Sequence, residues 1–228
     1  MDKSIVLGLI CNTAILLAFS MLYDYSWLPK HKTKSLPGKF LAGLIIGSVG
    51  IILMLTPWKQ LPGLVFDTRS VLLSLSGLFF GLIPTIIAAT IMAIFRFLLG
   101  GPGVWMGIAV ILTAAATGYL WRTLRPGWRN KNYIIELTFL GLAVHFIMLG
   151  CTLLLPSDSI IPTIRNITVP LLTIYPAGTV LLGILMVRQM NNQENKNISL
   201  RLLESERRFI DLLTNFNYYS RYLTGMAM

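Results

Sequence analysis

Apolar and polar positions fall in long blocks rather than in a short amphipathic period. The apolar runs are Ile5–Tyr23, Phe40–Pro57, Ser70–Gly100, Val104–Trp121, Tyr133–Leu155 and Ile167–Met190. A helix needs about 20 apolar residues to cross the ~30 Å hydrocarbon core of a bilayer, so five of these runs predict one spanning helix each. The third is too long: as one straight helix its roughly 30 residues would extend about 45 Å. It also contains Gly81-Leu82-Ile83-Pro84, and proline removes an amide donor and disfavours helix at the residue before it. The pattern therefore predicts two short helices, Val65–Leu82 and Thr85–Leu99, joined by a tight turn. A single kinked span is the alternative. The expected fold is an all-α integral membrane bundle of six to seven transmembrane helices, including a short hairpin at about 65–99.

Composition agrees with a membrane solvent. Hydrophobic residues make up 55% of the 228 positions and charged residues only 12%, with a mean hydropathy of +0.71. A soluble domain carries roughly 25% charged residues, so a water-soluble enzyme, a disordered tail and a nucleic-acid-binding module are all disfavoured. The chain lacks the cysteines for a disulfide scaffold, having two. Its net charge of +10 lies in short stretches between the apolar runs, the pattern by which membrane proteins mark their cytoplasmic side. Seven spans place 14 of the 19 basic residues inside, among them Lys30, Lys39, Arg122, Arg125 and Arg188. A single kinked third span gives 13 inside, so charge fixes a cytoplasmic C-terminus without separating the two topologies. The first run has only Lys3 against Asp2 before it and lacks a small-residue cleavage site, so it reads as a retained anchor rather than a signal peptide. Trp27, Trp58, Trp105, Trp121 and Trp128 fall at or near span ends, where indole settles among headgroups. Gly43, Gly47, Gly50, Gly77 and Gly81 read as helix-packing surfaces.

Charges at membrane depth are costly, so each is a functional-site hypothesis. Asp67 and Arg69 open the third segment, and Arg96 closes the fourth just before Gly100-Gly101-Pro102-Gly103. A hairpin brings both arginines to the outer side. A single helix would hold them about 40 Å apart. Two guanidiniums in a partly dry pocket suit a small carboxylate, because arginine stays protonated and presents a planar fork to two oxygens. Asp67 would then neutralise an arginine in the empty site. An ion pair that merely fixes the hairpin, or arginines snorkelling to the interface, would account for the same residues.

Other polar residues are weaker leads. Glu136 lies near the cytoplasmic end of its span, within reach of Lys131 or water, and His145 reads as a hydrogen-bonded interior histidine. Cys11 and Cys151 lack metal-ligand spacing. Asn12, Thr13, Thr113 and Thr117 are expected to bond between helices. The sequence assembles no nucleophile–base pair or phosphate loop, and it implies neither a cofactor nor a metal. Beyond Met190, Leu200, Leu203, Phe209, Ile210 and Leu213 form a partial apolar stripe, and Glu204 and Arg208 an i,i+4 pair. This suits an amphipathic helix that dimerises or lies on anionic lipid. The expected organisation is a transmembrane domain at 1–190, with an extra helix and basic loop at 1–35, and a cytoplasmic linker at 191–228. The stretch after residue 213 is too short for a catalytic domain with its own core.

The run Phe66-Asp-Thr-Arg-Ser-Val-Leu-Leu-Ser-Leu-Ser-Gly-Leu-Phe-Phe-Gly81, followed by Pro84-Thr85, Phe95-Arg96, Gly100-Gly101 and Gly118, resembles the 5TM sensor region of the LytS–YhcK type. The resemblance covers residues 36–190 and is densest from 63 to 122. It implies the membrane input module of a bacterial histidine kinase or diguanylate cyclase, with a fold similar to the substrate-binding subunits of vitamin transporters. It further implies sensing of a small carboxylate such as pyruvate by a pair of arginines, whose matching positions are Arg69 and Arg96. The polar or thiol residue expected in the following helix is replaced by the neighbourhood of Gly107, Ile108 and Val110. Glu204 to Leu213 resembles the lead-in to a PAS domain, which implies a chain shortened before its output domain. The partners so implied are a small carboxylate, the lipid bilayer and a second copy of the chain pairing through its spans and C-terminal helix, with no nucleic acid. A solute-binding subunit of a transporter is the competing reading.

Overall fold

The computed structural model describes residues 36–55, 58–61, 64–129 and 132–226. The expected first span, Ile5–Tyr23, lies outside them, as do Cys11, Asn12, Thr13 and Trp27. Helix α1 (Leu36–Leu55) leads to a two-stranded antiparallel ribbon, β1 (Trp58–Leu61) and β2 (Leu64–Phe66), with Trp58 opposite Phe66. Helices α2 (Arg69–Phe80), α3 (Leu82–Leu99), α4 (Val104–Leu124) and α5 (Tyr133–Cys151) follow. A 3-10 turn (Thr152–Leu154) then leads into α6 (Ser157–Met226). Five of these six helices are long and apolar enough to cross a membrane, and the twelve-residue α2 is the short exception. The chain is an all-α integral membrane protein with one small ribbon.

The break in the long apolar stretch falls on one residue. Gly81 ends α2 and opens α3 with φ +82° and ψ −167°, a region of backbone space that is essentially glycine-only. Pro84 is the third residue of α3, where its missing amide costs no helical bond. Thr85 steadies the corner: its hydroxyl donates to the Gly81 carbonyl at 2.8 Å and also pairs with the Ser76 hydroxyl at 2.9 Å. The expected hairpin is therefore present, but its first helix starts at Arg69 rather than Val65. Val65 is a ladder partner of Lys59 in the ribbon, and Asp67 then starts the helix by taking the Arg69 amide on its side chain. The expected α3 start at Thr85 moves back to Leu82 for the same reason that the turn is so short.

Residues Arg69 to Leu78 of α2 are all buried, so α2 is the core of the bundle. Lipid tails are as apolar as leucine, so close backbone approach replaces the hydrophobic effect as the packing force between spans. Gly118 of α4 lies directly against the Ser74 carbonyl, and a Cβ at Gly77 would stand 2.5 Å from the Tyr119 amide nitrogen. On the other side α1 meets α3, where a Cβ at Gly43 or Gly47 would lie 2.7 Å or 2.9 Å from Ile87 or Ile91. The expected packing glycines are thus packing glycines, except Gly81, which makes the turn.

One further expectation changes. The final helix starts at Ser157, not Ile167, and runs through Pro162, Pro170 and Pro176. Transmembrane helices tolerate such interruptions because neighbouring groups re-satisfy the freed carbonyls, and Pro176 packs on α5, its Cα 3.0 Å from where a Gly141 Cβ would stand. Trp128 lies in the loop between α4 and α5, beside a span end as expected, and is buried there, its ring edge-on to Phe79 at 5.3 Å between centroids. The chain divides into two compact units, one ending at Met186 and one from Val187 to Met228. In the second, Leu200, Leu203, Phe209 and Ile210 are all exposed.

Candidate functional site

Asp67, Arg69 and Arg96 converge. Asp67 follows the ribbon directly, and its Oδ1 accepts both the Arg69 backbone N–H at 3.0 Å and the Arg69 Nε–H at 3.2 Å. A carboxylate at this position also meets the positive end of α2. Arg96 sits in the last turn of α3, the favourable end for a cation. Its Nη1 donates to the Gly100 carbonyl at 2.9 Å, an acceptor presented by the turn in which Gly100 and Gly101 both have positive φ. Arg69 and Asp67 both act electrostatically on the Arg96 guanidinium. The chain therefore doubles back as expected, and the two arginines, 27 positions apart, share one site.

The three side chains are sealed from solvent at 2% exposure for Asp67, 5% for Arg69 and 4% for Arg96. Two guanidiniums and one carboxylate leave a formal excess of one positive charge in a buried place, where field lines are poorly screened. Among the described residues, Asp67 Oδ2, Arg69 Nη1 and Arg96 Nε have no hydrogen-bond partner. Buried polar atoms are normally paired, so two orphaned donors beside an uncompensated charge form a local demand for an anionic acceptor.

Three more elements close the site, of which the resemblance points only to the neighbourhood of Gly107. Gly107 of α4 gives Arg96 its room, since a Cβ would stand 2.5 Å from Nε and 3.0 Å from Cδ. Ser70, the neighbour of Arg69, pairs with His145 Nε2 of α5 at 3.3 Å. The other ring nitrogen lies 2.6 Å from the Gly141 carbonyl. A carbonyl only accepts, so Nδ1 carries a proton, and in the neutral ring this leaves Nε2 as the acceptor of the Ser70 hydroxyl. The His145 ring also meets Tyr175 of α6 at 5.2 Å between centroids, and Tyr175 lies within electrostatic range of Asp67 and Arg69. His145 is the hydrogen-bonded interior histidine that the sequence predicted. No composition signal marks Ser70, Gly107 or Tyr175, because each is an ordinary residue of an apolar span until the folded neighbours are known.

The 5TMR of 5TMR-LYT family matches residues 22–189. The chain belongs to this family of LytS/YhcK-type membrane sensor regions. No curated protein and no solved structure matches it. As a 5TMR-LYT region the chain is a membrane sensor module of signalling proteins, and no catalytic domain is found in it. The match spans the described bundle and so takes in the ribbon, the hairpin and the buried charges.

Glu136, Thr113 and Thr117 of this 5TMR-LYT bundle have structural partners. Glu136 accepts from Arg125 Nη1 at 2.7 Å and from the Trp121 indole at 3.1 Å; Lys131, its expected partner, lies outside the described residues. Thr113 and Thr117 donate back to carbonyls of their own helix, Ala109 at 2.8 Å and Thr113 at 2.7 Å, and Thr113 also makes the expected bond between helices. This back-bonding is the common solution for a hydroxyl in a mid-helix position. Thr113 also touches Cys151 of α5, with Sγ at 3.8 Å, and Cys151 is a buried packing residue. Among the described residues there is no cluster of metal-ligating side chains.

Proposed function

We propose that this sensor region binds a small carboxylate, such as pyruvate, between Arg69 and Arg96 on the outer side of the bacterial cytoplasmic membrane. The observation that carries this reading is the pair of buried donors without a partner among the described residues, Arg69 Nη1 and Arg96 Nε, with Asp67 as the carboxylate beside two cations. Asp67 holds Arg69 in the empty site, and the ligand supplies the missing acceptor and the missing negative charge. Entry requires the sealed site to open, so bound and empty bundles differ in structure. A ligand shifts that equilibrium only by its differential affinity for the two states. The contact from Ser70 through His145 to Tyr175 gives α6 a direct hold on the site, and the cytoplasmic continuation of α6 passes the change to a histidine kinase or diguanylate cyclase output. The exposed Leu200, Leu203, Phe209 and Ile210 support a second copy of the chain as the partner of this helix.

Calorimetric titration of pyruvate into the purified full chain tests the site. Binding to the wild type, and a loss of at least about tenfold in R69A and R96A with membrane insertion intact, is the expected result. Unchanged affinity in both variants removes the arginine site, and accumulation of labelled pyruvate in proteoliposomes would assign the chain to a transporter instead. Oxidative cross-linking of L203C in membranes tests the dimer, which predicts a disulfide-linked pair.

A further inference from the structure

A second charged place lies at the opposite end of the α2–α3 hairpin. Fourteen residues separate Leu82 from Arg96 along α3, about 21 Å at 1.5 Å per residue. There a cavity of about 590 Å³ is bounded by the Gly81 turn, the first residues of α3, Lys39 of α1, and Tyr119 and Arg122 of α4. Three independent features make it electropositive. Lys39 is half-buried at its edge. Arg122 uses Nη1 to donate to the Leu78 and Phe79 carbonyls, at 3.2 Å and 2.9 Å, which fixes its plane at the C-terminus of α2 and leaves the Nη2 and Nε hydrogens of the fork. The eighteen-residue α3 opens here without a side-chain cap and without an acidic residue in its first turn, so the Leu82 and Ile83 amides have no helical acceptor. Among the described residues none of those lining the cavity is acidic. Two cations and the positive end of a helix thus converge, with the α2 carbonyls that accept from Arg122 as a partial counter-dipole and no carboxylate among the described lining residues.

We propose that this cavity binds a phosphate group. A tetrahedral oxyanion can accept from a guanidinium fork, an ammonium and helix-start amides together, which a smaller or planar anion cannot do as well. Leu82, Ile83 and Ile86 beside the mouth are exposed apolar residues, as required where an acyl chain leaves a headgroup for the hydrocarbon. The basic end of a bundle is also where anionic lipid concentrates. A phospholipid headgroup and a free phosphate share the recognised chemistry. The site does not depend on the arginine pair, which the same helices hold at their other end.

Native mass spectrometry of the full chain, released from nanodiscs containing phosphatidylglycerol and phosphatidylcholine, tests the proposal. The wild type is expected to retain phosphatidylglycerol, and K39Q to retain about fivefold less. Arg122 also ties down α2, so R122Q is read alongside pyruvate binding at the distant site, which should persist if the bundle is intact. Displacement of the retained lipid by millimolar inorganic phosphate assigns the cavity to a soluble phosphate. Retention despite inorganic phosphate assigns it to the lipid. Equal retention in wild type, K39Q and the K39Q/R122Q pair, or no retention and no phosphate binding in the wild type, overturns it.

Discussion

The two ends of the α2–α3 hairpin are built from the same parts, cationic side chains placed at helix termini, yet they behave oppositely because one is sealed and the other open. At the closed end Arg69 and Arg96 are at most 5% exposed and depend on Asp67 for a counter-charge. At the turn end Arg122 is exposed and Lys39 half-buried, and water screens both. Burial raises the consequence of each charge: removing one partner of a buried set strands the rest, whereas a surface ion contributes little. The closed end therefore suits discrimination of a ligand, and the open end suits a phosphate that arrives from the membrane surface or the solution.

The largest expected effect is that of Asp67→Ala, which leaves two guanidiniums sealed without a carboxylate. It should lower stability by about 3–5 kcal/mol, read as thermal unfolding in detergent, and added pyruvate should recover part of the loss by supplying the missing acceptor. A wild-type melting temperature would dissolve the contrast between the two ends. Gly107→Ala comes next. Its new Cβ meets the middle of the Arg96 side chain, so a loss of about 1–3 kcal/mol should accompany weaker pyruvate binding in the same titration. Gly81→Ala separates space from conformation, because a Cβ there stands a tolerable 3.4 Å from Arg122 Nη1 while φ remains +82°. A cost of about 1–2 kcal/mol, with ligand affinity retained, is expected from backbone strain alone. Arg122→Gln should cost about 1 kcal/mol or less; a loss as large as that of Asp67→Ala would mean that the turn end is as dry as the closed end.

The hairpin was legible from the chain because Gly81 and Pro84 interrupt an apolar run too long for one crossing, and the charged site was legible because Asp67, Arg69 and Arg96 do not belong in lipid. Each is a local violation of a strong rule, which makes it visible without neighbours. The ribbon was missed because Trp58–Leu61 and Leu64–Phe66 are too short to show a period, and pairing between two strands is not a property of either. The early start of α6 was missed because Pro162 reads as a breaker, whereas it sits in the second turn of α6 on an exposed face, where its missing amide frees a single carbonyl near the helix start. Ser70 and His145 sit 75 positions apart, and no pattern within one span joins them.

Helix α2 has twelve residues, about 18 Å of length, and bilayer hydrocarbon is ~30 Å thick. With three serines and an arginine among its buried positions, it is a poor candidate for recognition by the insertion machinery on its own account. Its entry must be coupled to that of α3, the two passing from the translocon into the bilayer as one folded pair across the Gly81 corner. The order of synthesis then matters: α2 emerges first, must wait for α3 to gain a companion, and receives its final cover only when α4 brings Gly118 against Ser74.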